Sequence, residues 1–255
     1  MALFRATRAL SSAVYPALAG RSVFVTGGAT GIGEALVRAF VAQRAQVHFI
    51  DVQDEAGEAL AAELGPLARY SHVDVTDVAA LQGVIATQEK VDVLINNVAN
   101  DTRHDPADVT PEFWRKCMAV NLDATFFAVQ AAIPKMKAAG GGAIINFSSI
   151  NALLGPEDMP GYVSAKAGLL GMTKALARQY GRDHIRVNVI LPGWVVTERQ
   201  LDKWLTPEAE AQWSELVAIK ERILPPDVAS LALFLADEGS ARITGQQFII
   251  DAGRV

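Results

Sequence analysis

Apolar positions in this chain follow two rhythms. Short runs, mostly apolar except for the more polar 69–74, occupy 22–26, 46–50, 69–74, 91–95, 143–147, 185–191 and 247–251. Runs of that length, rich in Val, Ile and Phe, read as strands buried on both faces, as in a parallel sheet. Between them the apolar residues recur at helical spacing, as in Leu36, Val37, Phe40 and Val41. The same rhythm predicts helices over 54–64, 77–87, 111–137 and 226–236, and one carrying Tyr162 after a loop at 151–160. Strand and helix alternate throughout, so the pattern predicts an α/β fold: a doubly wound, seven-stranded parallel sheet with helices on both faces. The expected organisation is one domain over 1–255, with an N-terminal arm at 1–20 and an insertion at 194–224. The insertion holds Trp194, Trp204 and Trp213 and a helix-like run at 207–222, and its size suits a lid over the carboxyl edge of the sheet.

Composition narrows the classes. About half of the 255 residues are apolar and the net charge is −5 without a basic run, which argues against a nucleic-acid partner. Cys117 is the sole cysteine, and His48, His72, His104 and His184 are scattered, so neither a disulfide nor a metal site is expected. Apolar runs fall short of the ~18 residues that a bilayer span needs, and a cytoplasmic protein without membrane association is expected. The arm is basic, with Arg5, Arg8 and Arg21 and no acid before Glu34, which also suits a transit peptide. Packing of the arm on the domain, with Tyr15-Pro16 leading into the first strand, is the plainer expectation.

The first strand runs into Gly27-Gly28-Ala29-Thr30-Gly31-Ile32-Gly33 and then into a helix. Strand, glycine turn and helix start form the dinucleotide-binding arrangement of Rossmann-type sheets. Bare backbone approaches a pyrophosphate there, and helix N–H groups favour its charge. Asp51 ends the second strand, where a carboxylate accepts bonds from an adenosine ribose and repels the 2′-phosphate of NADP. Neither Thr30 nor Val52 supplies a compensating cation, so NAD is expected over NADP. Asp51 could instead merely cap a helix. Asp74 and Val75 follow the third strand, in place to border the adenine.

Tyr162 and Lys166 lie four apart, on one face of a helix. An ammonium close to a phenol favours the phenolate and makes the pair a candidate acid or base. A surface tyrosine beside a lysine would give the same spacing. Ser149 ends the fifth strand, and Asn121 is a mediocre helix former inside a predicted helix. Ligands of open α/β sheets bind beyond the carboxyl ends of the strands, so these groups and the glycine turn should share one cleft.

Taken together, Thr26-Gly27-x-x-x-Gly31-x-Gly33, Asp74, Asn96-Asn97, Asn121, Ser149, Tyr162-x-x-x-Lys166, Pro192-Gly193 and Thr197 resemble the short-chain dehydrogenase/reductase family. Two departures are Val98-Ala99 in place of Ala-Gly, and Asp251-Ala252-Gly253 in place of Asp-Gly-Gly. Within the family, Tyr15-Pro16, Asn100-Asp101-x-Arg103-His104, Ile145-Asn146-Phe147, Thr197-x-Arg199-Gln200 and Thr206-Pro207-Glu208 look like the bacterial NAD-dependent dehydrogenases that oxidise pentoses at C1. The resemblance implies Tyr162 as base in oxidation and Lys166 as the group that lowers its pKa and bonds the nicotinamide ribose. It implies Ser149 as holder of the substrate oxygen and Asn121 as the orderer of a water chain from Lys166. It places the cofactor on Gly27, Thr30, Gly31, Ile32, Gly33, Asp51, Asp74, Val75, Asn97, Pro192, Gly193, Val195 and Thr197, and implies a homotetramer. For a sugar, whose hydroxyls need buried partners, Asn100, Asn151, Trp194 and Arg199 are the first candidates, then Arg103, His104, Glu157 and Trp204. The leading expectation is an aldose oxidised to its lactone. The alternatives are a 2-keto-3-deoxy sugar acid, for which Arg103 and Arg199 speak, and a non-catalytic NAD-binding regulator.

Overall fold

The computed structural model describes residues 13–203 and 206–255, so Trp204 and the first twelve residues of the arm lie outside the described residues. Seven strands form one parallel sheet among the described residues: β1 (Ser22–Thr26), β2 (Gln46–Asp51), β3 (Ala68–His72), β4 (Val93–Asn96), β5 (Gly142–Phe147), β6 (Ile185–Pro192) and β7 (Gln247–Ile250). Their order is β3-β2-β1-β4-β5-β6-β7, so the winding direction reverses between β1 and β4. That reversal opens a crevice at the carboxyl ends of β1 and β4, the usual ligand position of such sheets.

The helices are α1 (Gly31–Ala42), α2 (Asp54–Leu64), α3 (Val78–Ala86), α4 (Pro111–Met118), α5 (Ala124–Ala138), α6 (Asn151–Leu154), α7 (Pro160–Tyr180), α8 (Glu198–Lys203), α9 (Pro207–Leu216) and α10 (Pro225–Ala236). Two apolar cores flank the sheet. One gathers Leu36, Phe40, Phe49 and Leu233 under α1 and α10. The other gathers Phe24, Leu81, Val129 and Met136 under α3 and α5. Polar groups also cross the interior: Asn96 Nδ2 donates to Asn146 Oδ1 (2.9 Å), and Asn146 Nδ2 donates to Thr173 Oγ1 (3.0 Å), joining β4, β5 and α7.

Four local features differ from the sequence pattern. The predicted 111–137 helix holds a π-helical turn at Ala119–Asp123, centred on Asn121. With that turn the run reaches Ala138 and is long and apolar enough to cross a bilayer, which the run-length reading had missed. It docks on the sheet instead, burying Ala128, Val129 and Ala132. The loop at 151–160 contains the short helix α6, closed by left-handed Gly155 (φ 60°). The helical run expected to Arg222 stops at Leu216. Val217 is extended, Ala218 and Ile219 donate their N–H groups to Ala252 O, and Lys220 Nζ closes the freed carbonyls of Ser214 and Val217. In the arm, Tyr15 N–H donates to Gln43 Oε1 (2.8 Å) and Leu18 is buried in the core under α1 and α10.

Candidate active site

The glycine turn is built by close approach. Gly27 (φ 67°) and Gly31 (φ 59°) are left-handed, a region that costs a side-chain-bearing residue energy. A Cβ on Gly33 would lie 1.8 Å from Gly27 O, and one on Gly31 would meet Thr197 at 3.2 Å. Asn97 fastens the turn to the end of β4, donating to Gly27 O at 2.8 Å. Thr30 stands at the N-cap of α1 without capping it through its side chain, which leaves first-turn N–H groups for an anion. Asp51 accepts from Ala29, Val52 and Gln53 N–H groups, so its carboxylate is fixed at the tip of β2 beside the turn. Asp74 accepts from Thr76 N–H and Oγ1–H, which hold its pKa below the usual carboxylate value, and Val75 is buried. This cradle fits a dinucleotide: bare backbone, an open helix start and a fixed carboxylate lie along one edge.

A cavity of about 740 Å³ opens beyond that edge. Its lining brings together Ile32, Asn97, Ser149, Asn151, Tyr162, Lys166, Pro192, Gly193, Trp194, Val195, Thr197 and Arg199, which the sequence had scattered over 168 positions, from 32 to 199. Arg103 lines it too. Asn100, His104 and Glu157 do not belong to the lining. Asn100 Oδ1 is spent on Thr102 N–H and Oγ1–H, and its main chain docks on Asn121. His104 accepts Gly161 N–H at Nε2 (3.2 Å) and contacts Thr102 O through Nδ1 (3.0 Å), so it braces the start of α7.

Tyr162 and Lys166 are both buried, and Lys166 Nζ lies 5.7 Å from the tyrosine ring centre. Lys166 Nζ donates to Phe147 O at 2.8 Å, the last carbonyl of β5. Ser149 beside the phenol favours the phenolate, yet burial dominates and pushes its pKa up to about 12. Burial likewise brings the Lys166 ammonium down to about 8. The direction of the phenol's shift is thus set by burial and not, as expected, by the lysine 5.7 Å from its ring centre. Asn121 Oδ1 accepts Asn100 N–H (2.9 Å), and its Nδ2 donates to Asn100 O and Cys117 O, so its amide holds the loop after β4.

Sequence reasoning missed the partners of Arg199. Asp101 Oδ1 pairs with Arg199 Nη2 at 2.7 Å, and Asp101 Oδ2 accepts from Gln200 Nε2 at 3.3 Å. Gln200 Oε1 in turn accepts Trp194 Nε1–H at 2.8 Å. Trp213, Met159 and Arg254 also line the cavity. The only sequence signal for this net was the acid-and-base stretch around Asp101, whose partners stand nearly a hundred residues away.

A parallel sheet with this winding, a glycine turn at a helix start and a Tyr–Lys pair beside the crevice define a nicotinamide-dependent oxidoreductase of the Rossmann type. A family model described as enoyl-(acyl carrier protein) reductase matches residues 27–254. The chain is 48% identical to a D-xylose 1-dehydrogenase of Caulobacter vibrioides, covering 96% of this chain and 99% of that one. It is 44% identical to a probable galactose dehydrogenase of Rhizobium meliloti, covering 96% and 98%. A crystal structure of a 3-oxoacyl-[acyl-carrier protein] reductase from Brucella melitensis superposes with a TM-score of 0.88 at 30% identity, covering 95% and 94%. The chain belongs to the short-chain dehydrogenase/reductase family, whose members bind a nicotinamide cofactor.

Proposed function

We propose that this protein oxidises a neutral aldose at its C1 hydroxyl to the lactone, with NAD as acceptor and Tyr162 as the base. The observation that carries the reading is the meeting of Ser149, Tyr162 and Lys166 with a cavity walled by indole and amide groups. The names of the two sugar-dehydrogenase relatives point the same way. When bound, the nicotinamide supplies the hydride-accepting carbon. Ser149 Oγ and Tyr162 Oη hold the substrate oxygen, and its proton passes to Tyr162. Lys166 sets the charge near the phenol and reaches the cofactor ribose. Asn121 keeps the Asn100 loop in place and supports the proton route from Lys166 to water. Asn151 and Trp194 meet the sugar. Asp51 selects NAD: its fixed carboxylate retains lone pairs for ribose hydroxyls and repels a 2′-phosphate. The remaining cofactor contacts fall on Gly27, Thr30, Gly31, Ile32, Gly33, Asp74, Val75, Asn97, Pro192, Gly193, Val195 and Thr197. The chain is one domain with 194–224 as the lid, and it works in the cytoplasm as a homotetramer.

A panel of aldoses, alditols and 2-keto-3-deoxy acids, scored by NADH formation, tests the reading. Aldoses should lead, and silence from every polyol and sugar would leave a regulator in its place. Turnover should favour NAD over NADP, and Asp51→Ser should narrow that preference; a native NADP preference would defeat the cofactor assignment.

One observation favours the sugar-acid reading. Three guanidinium groups, Arg103, Arg199 and Arg254, border the cavity. Arg199 is already paired with Asp101, which weakens its pull on a carboxylate. Loss of acid-sugar oxidation in Arg199→Ala, with free aldoses inert in the native enzyme, would give that reading the lead.

A further inference from the structure

Trp194 and Trp213 lie on separate elements, one after β6 and one on α9, yet both wall the cavity. Arg222 stands between them. Its guanidinium carbon is 4.0 Å from the Trp213 ring centre and 4.7 Å from that of Trp194. The side chain is only 7% exposed. Nε donates to Glu210 Oε1 at 2.9 Å, while Nη1 and Nη2 are buried without a hydrogen-bond partner. A buried guanidinium with unmet N–H groups is costly, and here it lies over two indole rings. The backbone brings the stack into line. Val195 and Ile223 form a bridge, and Val196 N–H donates to Ile223 O at 2.9 Å, so the Arg222 segment runs beside the Trp194 segment. Glu210 and Trp213 sit three apart on α9 and meet the same guanidinium.

We propose that Arg222 is a specificity-determining positioning residue: sandwiched between Trp194 and Trp213, it fixes both indoles as the aromatic wall against which the sugar ring lies, without touching the sugar. The proposal rests on the aldose reading above. The guanidinium covers part of Trp194, Gln200 occupies its N–H, and the half-buried remainder borders the cavity. An indole held in this way offers a fixed flat surface to the C–H face of a pyranose, while hydroxyls turn to the polar groups opposite. Epimers place their hydroxyls differently on that face, so a rigid wall separates them and a loose one does not. Lysine is a point charge without a flat face and cannot replace arginine between two rings.

The test uses full-length Arg222→Leu and Arg222→Lys. In Arg222→Leu, KM for the best aldose should rise at least ~10-fold while kcat changes less than ~3-fold, the split expected when ground-state binding is lost. The preference between the best aldose and its epimers should fall at least ~5-fold, and NAD affinity by direct titration should hold. Arg222→Lys should follow Arg222→Leu. In both variants without ligand, acrylamide should quench tryptophan emission more than in the native protein. Unchanged KM and epimer preference in a folded Arg222→Leu would overturn the proposal, as would full restoration by lysine. If Arg222→Leu fails to fold, Arg222→Lys decides alone. If the native protein oxidises no aldose, the functional reading fails, while unchanged quenching would separately show that the clamp does not hold the indoles.

Discussion

Tyr162 and Lys166 show how burial and charge compete at one site. Desolvation penalises the phenolate and the ammonium alike, so it drives apart two pKa values that ordinarily lie close together, to about 12 and about 8. The consequences for stability have opposite signs. Lys166 has a folded pKa below its unfolded value, so its contribution is whole above 10.5 and is lost as pH falls through about 8. Tyr162 has a raised pKa, so its contribution is whole below 10 and is lost as pH climbs towards about 12. Native protein should therefore gain melting temperature relative to Lys166→Met between pH 7 and pH 10; a constant gap between the two melting curves would contradict a buried ammonium at that position. Tyr162→Phe should lower turnover by at least ~100-fold, the usual size of a general acid–base contribution, with cofactor titration unchanged. Near-native turnover in that variant would remove the base assignment. His104 illustrates what a motif hides: its type and place suggested a substrate ligand, but its Nε2 accepts the amide just before Tyr162.

At the scale of elements, the strands and the glycine turn were legible because each depends on neighbours in sequence. Short Val- and Ile-rich runs can only be buried strands when helices flank them, and every predicted strand lies within two residues of an observed one. The π-helical turn at Asn121 was not legible, since it answers to Asn100, twenty-one positions away. The early end of α9 has the same character, set by Ala252 and Lys220 rather than by local propensity. The glycine turn gives a sharp prediction. Gly33→Ala would press a methyl into Gly27 O, so the turn must open. Stability should fall by about 1–3 kcal/mol, the cost of overpacking, and cofactor affinity should fall with it. Denaturant melts and cofactor titration of the variant, each compared with native protein, would expose an error if both stayed level.

On the scale of the molecule, the sequence pointed to one cleft and to an insertion over it, but not to the contacts that join them. Asp101, Gln200 and Trp194 join the loop after β4 to the insertion after β6, a net whose partners stand nearly a hundred residues apart in sequence. The outer surface carries partly exposed Trp114 and Phe126 on the long helix and Ile249 at the sheet edge. Such groups suit the proposed tetramer, so light scattering should give four times the chain mass, and Phe126→Glu should lower it; a monomer at micromolar concentration would refute the assembly. The Asn96–Asn146–Thr173 relay has a different meaning. Side chains on a strand alternate between faces, so a slip of β5 by one residue would send Asn146 into the opposite apolar layer and leave two amides stranded. The relay thus acts as a proofreader of assembly: it adds little to a chain that has paired properly and heavily penalises one that has not.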